Sequence, residues 1–141
     1  MKKVYIASPF FNEEEIRALS EVEKILKSRG FDVFSPREHE VRDGDVGTSE
    51  WSRATFLIDR NAIDRCDLMV MLYWGNYSDS GTAWECGYAH AKNKPVVVLH
   101  LGETSNLMVH EGSHTNITAI CELENYDFDT MLQFEYSGKM F

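Results

Sequence analysis

Residues 67–101, DLMVMLYWGNYSDSGTAWECGYAHAKNKPVVVLHL, decide the fold class of this chain. The two ends, DLMVMLY (Asp67–Tyr73) and PVVVLHL (Pro95–Leu101), are apolar over most of their length, which is typical of strands covered on both faces of a parallel sheet. The middle, Asn76 to Lys94, contains a turn at Asp79 and then many small residues, which predicts a compact helix. The stretch therefore predicts a strand, a helix and a second strand.

The residues before this stretch repeat the alternation of strand and helix. VYIAS (Val4–Ser8) and FDVFS (Phe31–Ser35) are short apolar runs, each ended by a proline. Asn12 and the glutamates after it predict a helix start, and apolar residues then recur at helical spacing up to Gly30. Trp51–Arg65 also has helical spacing.

The end of the chain is less regular. Gly102–Asn116 is predicted to be a loop, Ala119–Glu122 an edge strand and Tyr126–Phe134 a short terminal helix. Taken together, the elements predict an α/β fold: a single Rossmann-like or flavodoxin-like domain over residues 1–141, with a doubly wound parallel sheet and helices on both faces.

Composition narrows the possible partners and the compartment. A net charge of −9 argues against binding nucleic acid, because phosphate contacts need clustered lysine and arginine. We expect no membrane partner, since no apolar run approaches a bilayer span and the start is too short for a signal peptide. An odd set of three cysteines, without metal-ligand spacing, predicts reduced thiols in a cytoplasmic protein.

The predicted site lies beyond the carboxyl ends of the strands, where open parallel sheets bind their ligands. Four segments follow strands and should gather there: Ser8–Phe11, Arg37–Glu40, Trp74–Asp79 and Gly102–Met108. Their aromatic rings, carboxylates and amides suit a flat ligand with a hydroxylated portion, such as a nucleoside.

Phosphate and metal signals are missing from the sequence. Neither glycine-rich phosphate motif is present, and the turn after the first strand is acidic. His110 and His114 are four residues apart but lie outside any clear helix, so we expect no zinc site. No cofactor is predicted.

Carboxylates provide the candidate chemistry. Asp79 and Glu85 flank the predicted helix start, and a first-turn position would favour the ionised form of Glu85. An ordinary first-turn glutamate that complements the helix dipole is the alternative. Asp59 borders the apolar face of its helix, next to Thr55, and is either a solvated charge or a pocket carboxylate. A nucleophilic carboxylate with a proton donor would suit cleavage of an N-glycosidic bond, and the small Gly81 would admit a ligand.

Four motifs together resemble the nucleoside 2-deoxyribosyltransferases: VYIASPFF at the start, SPRE at 35–38, DSGTAWECG at 79–87 and NLM at 106–108. That family exchanges the base of a 2'-deoxynucleoside for a free purine or pyrimidine base through a covalent deoxyribosyl-glutamate. The resemblance implies the same reaction here. Two alternatives remain, a deoxynucleoside 5'-monophosphate N-glycosidase of the same fold and a non-catalytic nucleoside-binding module.

The resemblance also implies a role for individual residues. Glu85 is similar to the nucleophile, Asp59 to the group that protonates the departing base, and Asp79 to a carboxylate that holds the substrate. Asn106 matches an asparagine that reaches the sugar from a neighbouring subunit, which implies a homo-oligomer with shared sites. The remaining substrate-binding candidates are Phe10, Glu38, Glu40, Met108 and Gly81.

Overall fold

The computed structural model describes residues 1–42, 44–75 and 79–141. In chain order the elements are β1 (Lys3–Ala7), α1 (Glu13–Ser28), β2 (Asp32–Phe34), α2 (Ser49–Arg65), β3 (Leu68–Tyr73), α3 (Ser80–Ala91), β4 (Val96–His100), β5 (Thr104–Ser105), α4 (Leu107–Gly112), β6 (Thr115–Ile117) and β7 (Lys139–Met140), with 3₁₀ helices at Pro36–Glu38 and Ile120–Glu124. Two places lie outside the described residues: Asp43, between β2 and α2, and residues 76–78 of the segment predicted to follow β3.

A five-stranded parallel sheet forms the centre, in the order β2-β1-β3-β4-β6. This is a flavodoxin-like order, in which the direction of winding reverses between β1 and β3. Val4 on β1 pairs with Val33 on one side and Leu68 on the other. The predicted doubly wound α/β fold is confirmed.

Alternate strand residues face two separate apolar cores, as the pleat of a buried sheet requires. Val4 and Ile6 of β1 pack in the core beneath α1, with the apolar residues of that helix. Tyr5 and Ala7 point to the opposite core, which α2 and α3 cover. Helices therefore lie on both faces, and α2 and α3 share the face on which Tyr5 lies.

Side-chain caps set where the long helices begin. Asn12 accepts a hydrogen bond from the Glu15 amide, and Thr48 and Asp79 do the same for the third residues of α2 and α3. Asn12 and Glu15 have the spacing of a capping box, in which the glutamate would accept from the Asn12 amide. Here the Glu15 carboxylate accepts instead from the amide of the preceding residue, Phe11 (2.9 Å). In each helix the cap lies at the carboxyl edge of the sheet, so the helix starts border the ligand crevice.

The C-terminal predictions were wrong in detail. The edge strand is Thr115–Ile117, and the residues predicted for it form the 3₁₀ helix Ile120–Glu124. The predicted helix at 126–134 is instead irregular, because Phe128 enters the core and the Asn116 amide donates to the Phe134 carbonyl (3.1 Å). The predicted loop after β4 contains β5 and α4.

Two glycines let the loops after β3 and β4 meet. Gly75 has a φ of +65°, and a Cβ there would lie 2.3 Å from the Thr104 carbonyl oxygen. A Cβ on Gly102 would lie 2.4 Å from the Trp74 carbonyl oxygen. This close packing fixes Gly102 and Thr104, which precede Asn106, against Trp74 and Gly75 at the end of β3. No helix within the described ranges combines the length and apolar character that a bilayer span needs.

Candidate active site

A cavity of about 680 Å³ opens at the carboxyl edge of the sheet, beyond β1. The three carboxylates predicted to be catalytic, Glu85, Asp59 and Asp79, all line it. They come from three places in the chain: Asp59 from α2, Asp79 from the cap of α3, and Glu85 from α3 itself. The structure therefore brings together groups that the sequence separates by up to 26 residues.

Glu85 receives a hydrogen bond from the hydroxyl of Tyr5, through Oε2. Tyr5 is fully buried in the middle of β1. Burial, and then the nearby charges of Glu85 and Asp59, raise the pKa of Tyr5 far above its ordinary value. The hydroxyl therefore keeps its proton and acts as a fixed donor to Glu85.

The protonation of Glu85 differs from the prediction. It is the sixth residue of α3, in the second turn, because Asp79 rather than a later residue caps the helix. Burial raises the pKa of Glu85 to about 8, with a further increase from Asp59 and Asp79, although the Tyr5 hydrogen bond acts in the opposite direction. The surroundings of Glu85 thus favour its neutral form, and not the ionised form that the helix dipole was expected to favour.

Asp59 is a pocket carboxylate and not a solvated charge. It is partly buried on α2, and burial raises the pKa of its carboxyl group to about 6. Thr55 and Trp51, one and two turns earlier on the same helix, also line the cavity. A carboxyl group that titrates near neutral pH suits proton transfer to a substrate.

Asp79 has a structural contact as well as a place in the cavity. Its Oδ2 accepts from the amide and from the hydroxyl of Thr82, each at 3.0 Å. Gly81 lies beside this carboxylate, since a Cβ there would be 3.1 Å from Oδ2. These two bonds fix the Asp79 side chain at the start of α3.

Of the three candidates that follow β1 and β2, two line the same cavity and one does not. Phe10 and Glu40 are part of its wall. Glu38 lies outside it and pairs with Lys27 instead, at 2.7 Å. The structure therefore does not support Glu38 as a contact in this cavity, because its carboxylate is already paired on the surface.

Asn106 and Met108 line a second cavity, of about 810 Å³, on the other side of Asp79. Asp79 borders both cavities, whereas Glu85 and Asp59 border only the first of these two. The Asn106 side-chain oxygen Oδ1 caps α4 by accepting from the Met108 amide (2.9 Å). The Met108 side chain is 75% exposed. Within one chain, Asn106 is thus not part of the cavity that holds Glu85.

Sequence reasoning did not single out Tyr5 or Trp51 as site residues, and it placed Arg37 at this edge only as part of the segment Arg37–Glu40. Tyr5 stands inside a uniformly apolar strand, and only the three-dimensional approach of α3 distinguishes it from a core residue. The Arg37 guanidinium lines the cavity but is paired with the buried Glu23, which also accepts from the Ser35 hydroxyl (2.5 Å). Burial acts to raise the pKa of Glu23, but the bonds from Arg37 and Ser35 lower it overall.

Metal-binding groups do not gather in the described part of the chain, where no three His, Cys, Asp or Glu side chains are placed to hold an ion. The two histidines that are four residues apart have separate roles. The His110 ring lies 2.7 Å from the Ser105 hydroxyl, and the His114 ring lies 2.7 Å from the Met131 carbonyl oxygen. Cys86 is buried in the core, where burial raises the pKa of its thiol to about 11.

Comparison with known proteins identifies the family. A family model described as nucleoside 2-deoxyribosyltransferase matches residues 4–124. A nucleoside deoxyribosyltransferase of Limosilactobacillus fermentum is 30% identical, with 98% of this chain and 88% of the relative covered. One from Lactobacillus leichmannii is 23% identical over 99% and 98% of the two chains.

Solved structures agree in fold. The 2-deoxyribosyltransferase of Bacillus psychrosaccharolyticus superposes with a TM-score of 0.90 and 38% identity, over 96% of this chain and 99% of the other. The Clostridium botulinum CMP N-glycosidase has a TM-score of 0.64 and 23% identity over 89% and 100% of the two chains, which shows a shared fold alone. With the family model covering most of its length, this chain belongs to the nucleoside 2-deoxyribosyltransferase family.

Proposed function

We propose that this chain transfers the 2-deoxyribosyl group from a 2'-deoxynucleoside to a free purine or pyrimidine base, by double displacement through a covalent ester on Glu85. Membership of the family supports the transfer. One observation carries the mechanism: the Glu85 carboxyl group lines the cavity under the Tyr5 hydroxyl, and Asp59 lines the same cavity from the neighbouring helix.

In the first displacement, the Glu85 carboxylate attacks the anomeric carbon of the bound nucleoside. The bond from this carbon to the base nitrogen breaks, and its electron pair leaves with the base. The Asp59 proton goes to the base, because an unprotonated base is a poor leaving group. The sugar passes through an oxocarbenium-like transition state whose positive charge the nearby carboxylates stabilise.

The second displacement reverses these steps with a new base. A nitrogen of the incoming base attacks the anomeric carbon, the ester bond to Glu85 breaks, and Asp59 takes the proton that the base loses. Two inversions restore the original face of the sugar, so the configuration is retained. Water can replace the incoming base, and some hydrolysis therefore accompanies transfer.

The two reacting carboxyl groups share one proton near neutral pH. The pKa of Asp59 is about 6 and that of Glu85 about 8, so the pair holds one proton between these limits. The reaction uses the arrangement in which this proton lies on Asp59 and Glu85 is ionised. The Tyr5 hydroxyl favours that arrangement, because it donates to the Glu85 carboxylate.

The charge of the cavity favours a nucleoside over a nucleotide. Among the described residues that line the cavity, Arg37 is the one lysine or arginine, and Glu23 neutralises its charge. A 5'-phosphate would be repelled by the negative charges that line the same cavity, which are those of Glu40 and Asp79 and the single charge that Asp59 and Glu85 share. We therefore do not favour the monophosphate N-glycosidase alternative.

We further propose a homo-oligomer in which Asn106 and Met108 of one subunit complete the site of another. The support is their position, since the α4 start lies on the surface and borders a cavity that contains Asp79 but not Glu85. Leu107 and Met108 are large apolar side chains exposed by 49% and 75%, as an unburied contact surface would be. In the assembly, Asp79 and the partner's Asn106 would bind the sugar hydroxyls.

The remaining assignments complete the proposal. Phe10 and Glu40 contact the base from the loops after β1 and β2. Residues 1–141 act as one domain, because α1 on one face and α2 and α3 on the other cover the same sheet. The reaction serves nucleoside salvage in the cytoplasm, a reducing compartment that suits the free thiols of Cys66 and Cys86.

Glu85→Gln tests the raised pKa of the nucleophile through stability. A carboxyl group whose folded pKa lies above its unfolded pKa loses stabilisation as pH rises between the two values. The wild type and Glu85→Gln should therefore unfold at similar temperatures at pH 4, and the variant should be the more stable at pH 9. Thermal unfolding across this range, with the exposed Glu135→Gln as control, measures the difference. If the difference in unfolding temperature between the wild type and Glu85→Gln is the same at both pH values, the pKa of Glu85 is not raised.

Glu85→Ala tests the covalent route directly. The variant should lose at least about a thousandfold in the rate at which thymidine and adenine give deoxyadenosine, because no nucleophile remains. Glu135→Ala, which removes an exposed carboxylate, should exchange at the wild-type rate. Near-normal exchange by Glu85→Ala refutes the proposed mechanism. A strong preference of the wild type for thymidine monophosphate over thymidine refutes the proposal that the substrate is a nucleoside.

Mixed oligomers test the shared site. Glu85→Ala and Asn106→Ala subunits are each expected to be inactive alone. Co-expressed in equal amounts they should regain about a quarter of wild-type activity, because about half of the pairs are mixed and each mixed pair contains one intact site of two. The purified mixed pair should therefore have about half of wild-type activity. Two different affinity tags allow the mixed species to be purified. If the mixed oligomer stays as inactive as its parents, both residues serve the same chain and the proposal fails.

A further inference from the structure

The hydroxyl of Thr55 is buried and has no hydrogen-bond partner among the described residues. Thr55 lines the cavity that holds Glu85 and Asp59. A buried hydroxyl without a partner destabilises a protein, so it usually indicates a group that an absent molecule satisfies. Because Thr55 lines the cavity, a bound substrate is the molecule nearest to this hydroxyl, and a rotation about χ1 would turn the buried oxygen toward it.

Helix geometry strengthens this reading. A threonine inside a helix commonly satisfies its hydroxyl on the carbonyl three or four residues earlier. Thr55 lies in the interior of α2, yet its hydroxyl makes no such bond. Thr55 thus does not form this hydrogen bond within its own helix, and its hydroxyl remains available to a molecule in the cavity.

Three residues of α2 form one stripe along the cavity: Trp51, Thr55 and Asp59, each one turn from the next. Their side chains carry an aromatic ring, a hydroxyl and a carboxyl group in that order. Asp59 is the group proposed to protonate the base, so Thr55 stands between the proton donor and an aromatic surface. A planar base that accepts the Asp59 proton would extend along this stripe.

We propose that the Thr55 hydroxyl hydrogen-bonds the edge of the nucleobase next to the atom that Asp59 protonates, and thereby orients the base for transfer. This inference rests on the proposed function. A hydroxyl can donate to a ring nitrogen or carbonyl and can accept from an amino group, according to how it rotates. The same residue therefore serves both purine and pyrimidine bases, whose edges differ in donors and acceptors.

The test compares Thr55→Val, which removes the hydroxyl at nearly constant shape, with Thr55→Ser, which keeps it. Each protein receives thymidine and a fixed concentration of adenine or cytosine, and the ratio of new nucleoside to free deoxyribose is measured. This ratio reports only the second displacement, in which base and water compete for the same intermediate. Thr55→Val should lower it about tenfold for both bases, and Thr55→Ser by less than about threefold.

Stability provides the readout that a structural role would change. Because the hydroxyl has no partner in the described structure, Thr55→Val should unfold at the wild-type temperature or above it. A marked loss of stability in this variant overturns the inference, as does an unchanged ratio or an equal loss in Thr55→Ser. If the wild type itself makes no new nucleoside, the proposed function fails, whereas a wild type that exchanges bases with an unaffected Thr55→Val refutes this inference alone.

Discussion

The protein depends on holding one carboxyl group, that of Glu85, in a place that is poor for an anion. Burial and two neighbouring carboxylates favour its neutral form, and the Tyr5 hydroxyl is the donor that opposes them. Such a site stabilises a free carboxylate poorly, but it strongly attracts a positive charge that develops beside the carboxylate. In the proposed mechanism, a sugar that becomes oxocarbenium-like supplies that charge, so the electrostatic cost of burying Glu85 becomes a preference for the transition state.

The fold makes this arrangement by placing three elements around the β1–β3 switch point. Tyr5 lies on β1 in the sheet beneath the two helices, Asp59 lies on α2 and Glu85 lies on α3. Both helices cover the face of the sheet on which Tyr5 lies, and the Asp79 cap sets where α3 starts. A different start would rotate Glu85 away from Tyr5, since each residue turns the helix by about 100°.

Much of the fold could be predicted from sequence because buried strands and capped helices have strong local signals. The weak part was the end of the chain, where Phe128 is fixed by packing against α1 rather than by local pattern. In the site, Glu85 could be located from the DSGTAWECG motif, and Asp59 from its place on the helix and from the family resemblance. Tyr5 could not, because nothing in VYIAS distinguishes a ring that packs from a hydroxyl that donates, and the pKa of Glu85 depends on neighbours that are distant in sequence.

The covalent intermediate is the central claim, and mass spectrometry of the quenched protein tests it most directly. Wild-type protein is mixed with a 2'-deoxynucleoside without an acceptor base, quenched in acid and digested, and the peptide that contains Glu85 is analysed. The account predicts a deoxyribosyl group on the Glu85 side chain. Base exchange by the wild type with no adduct on this residue, or with the adduct on another side chain, would contradict it.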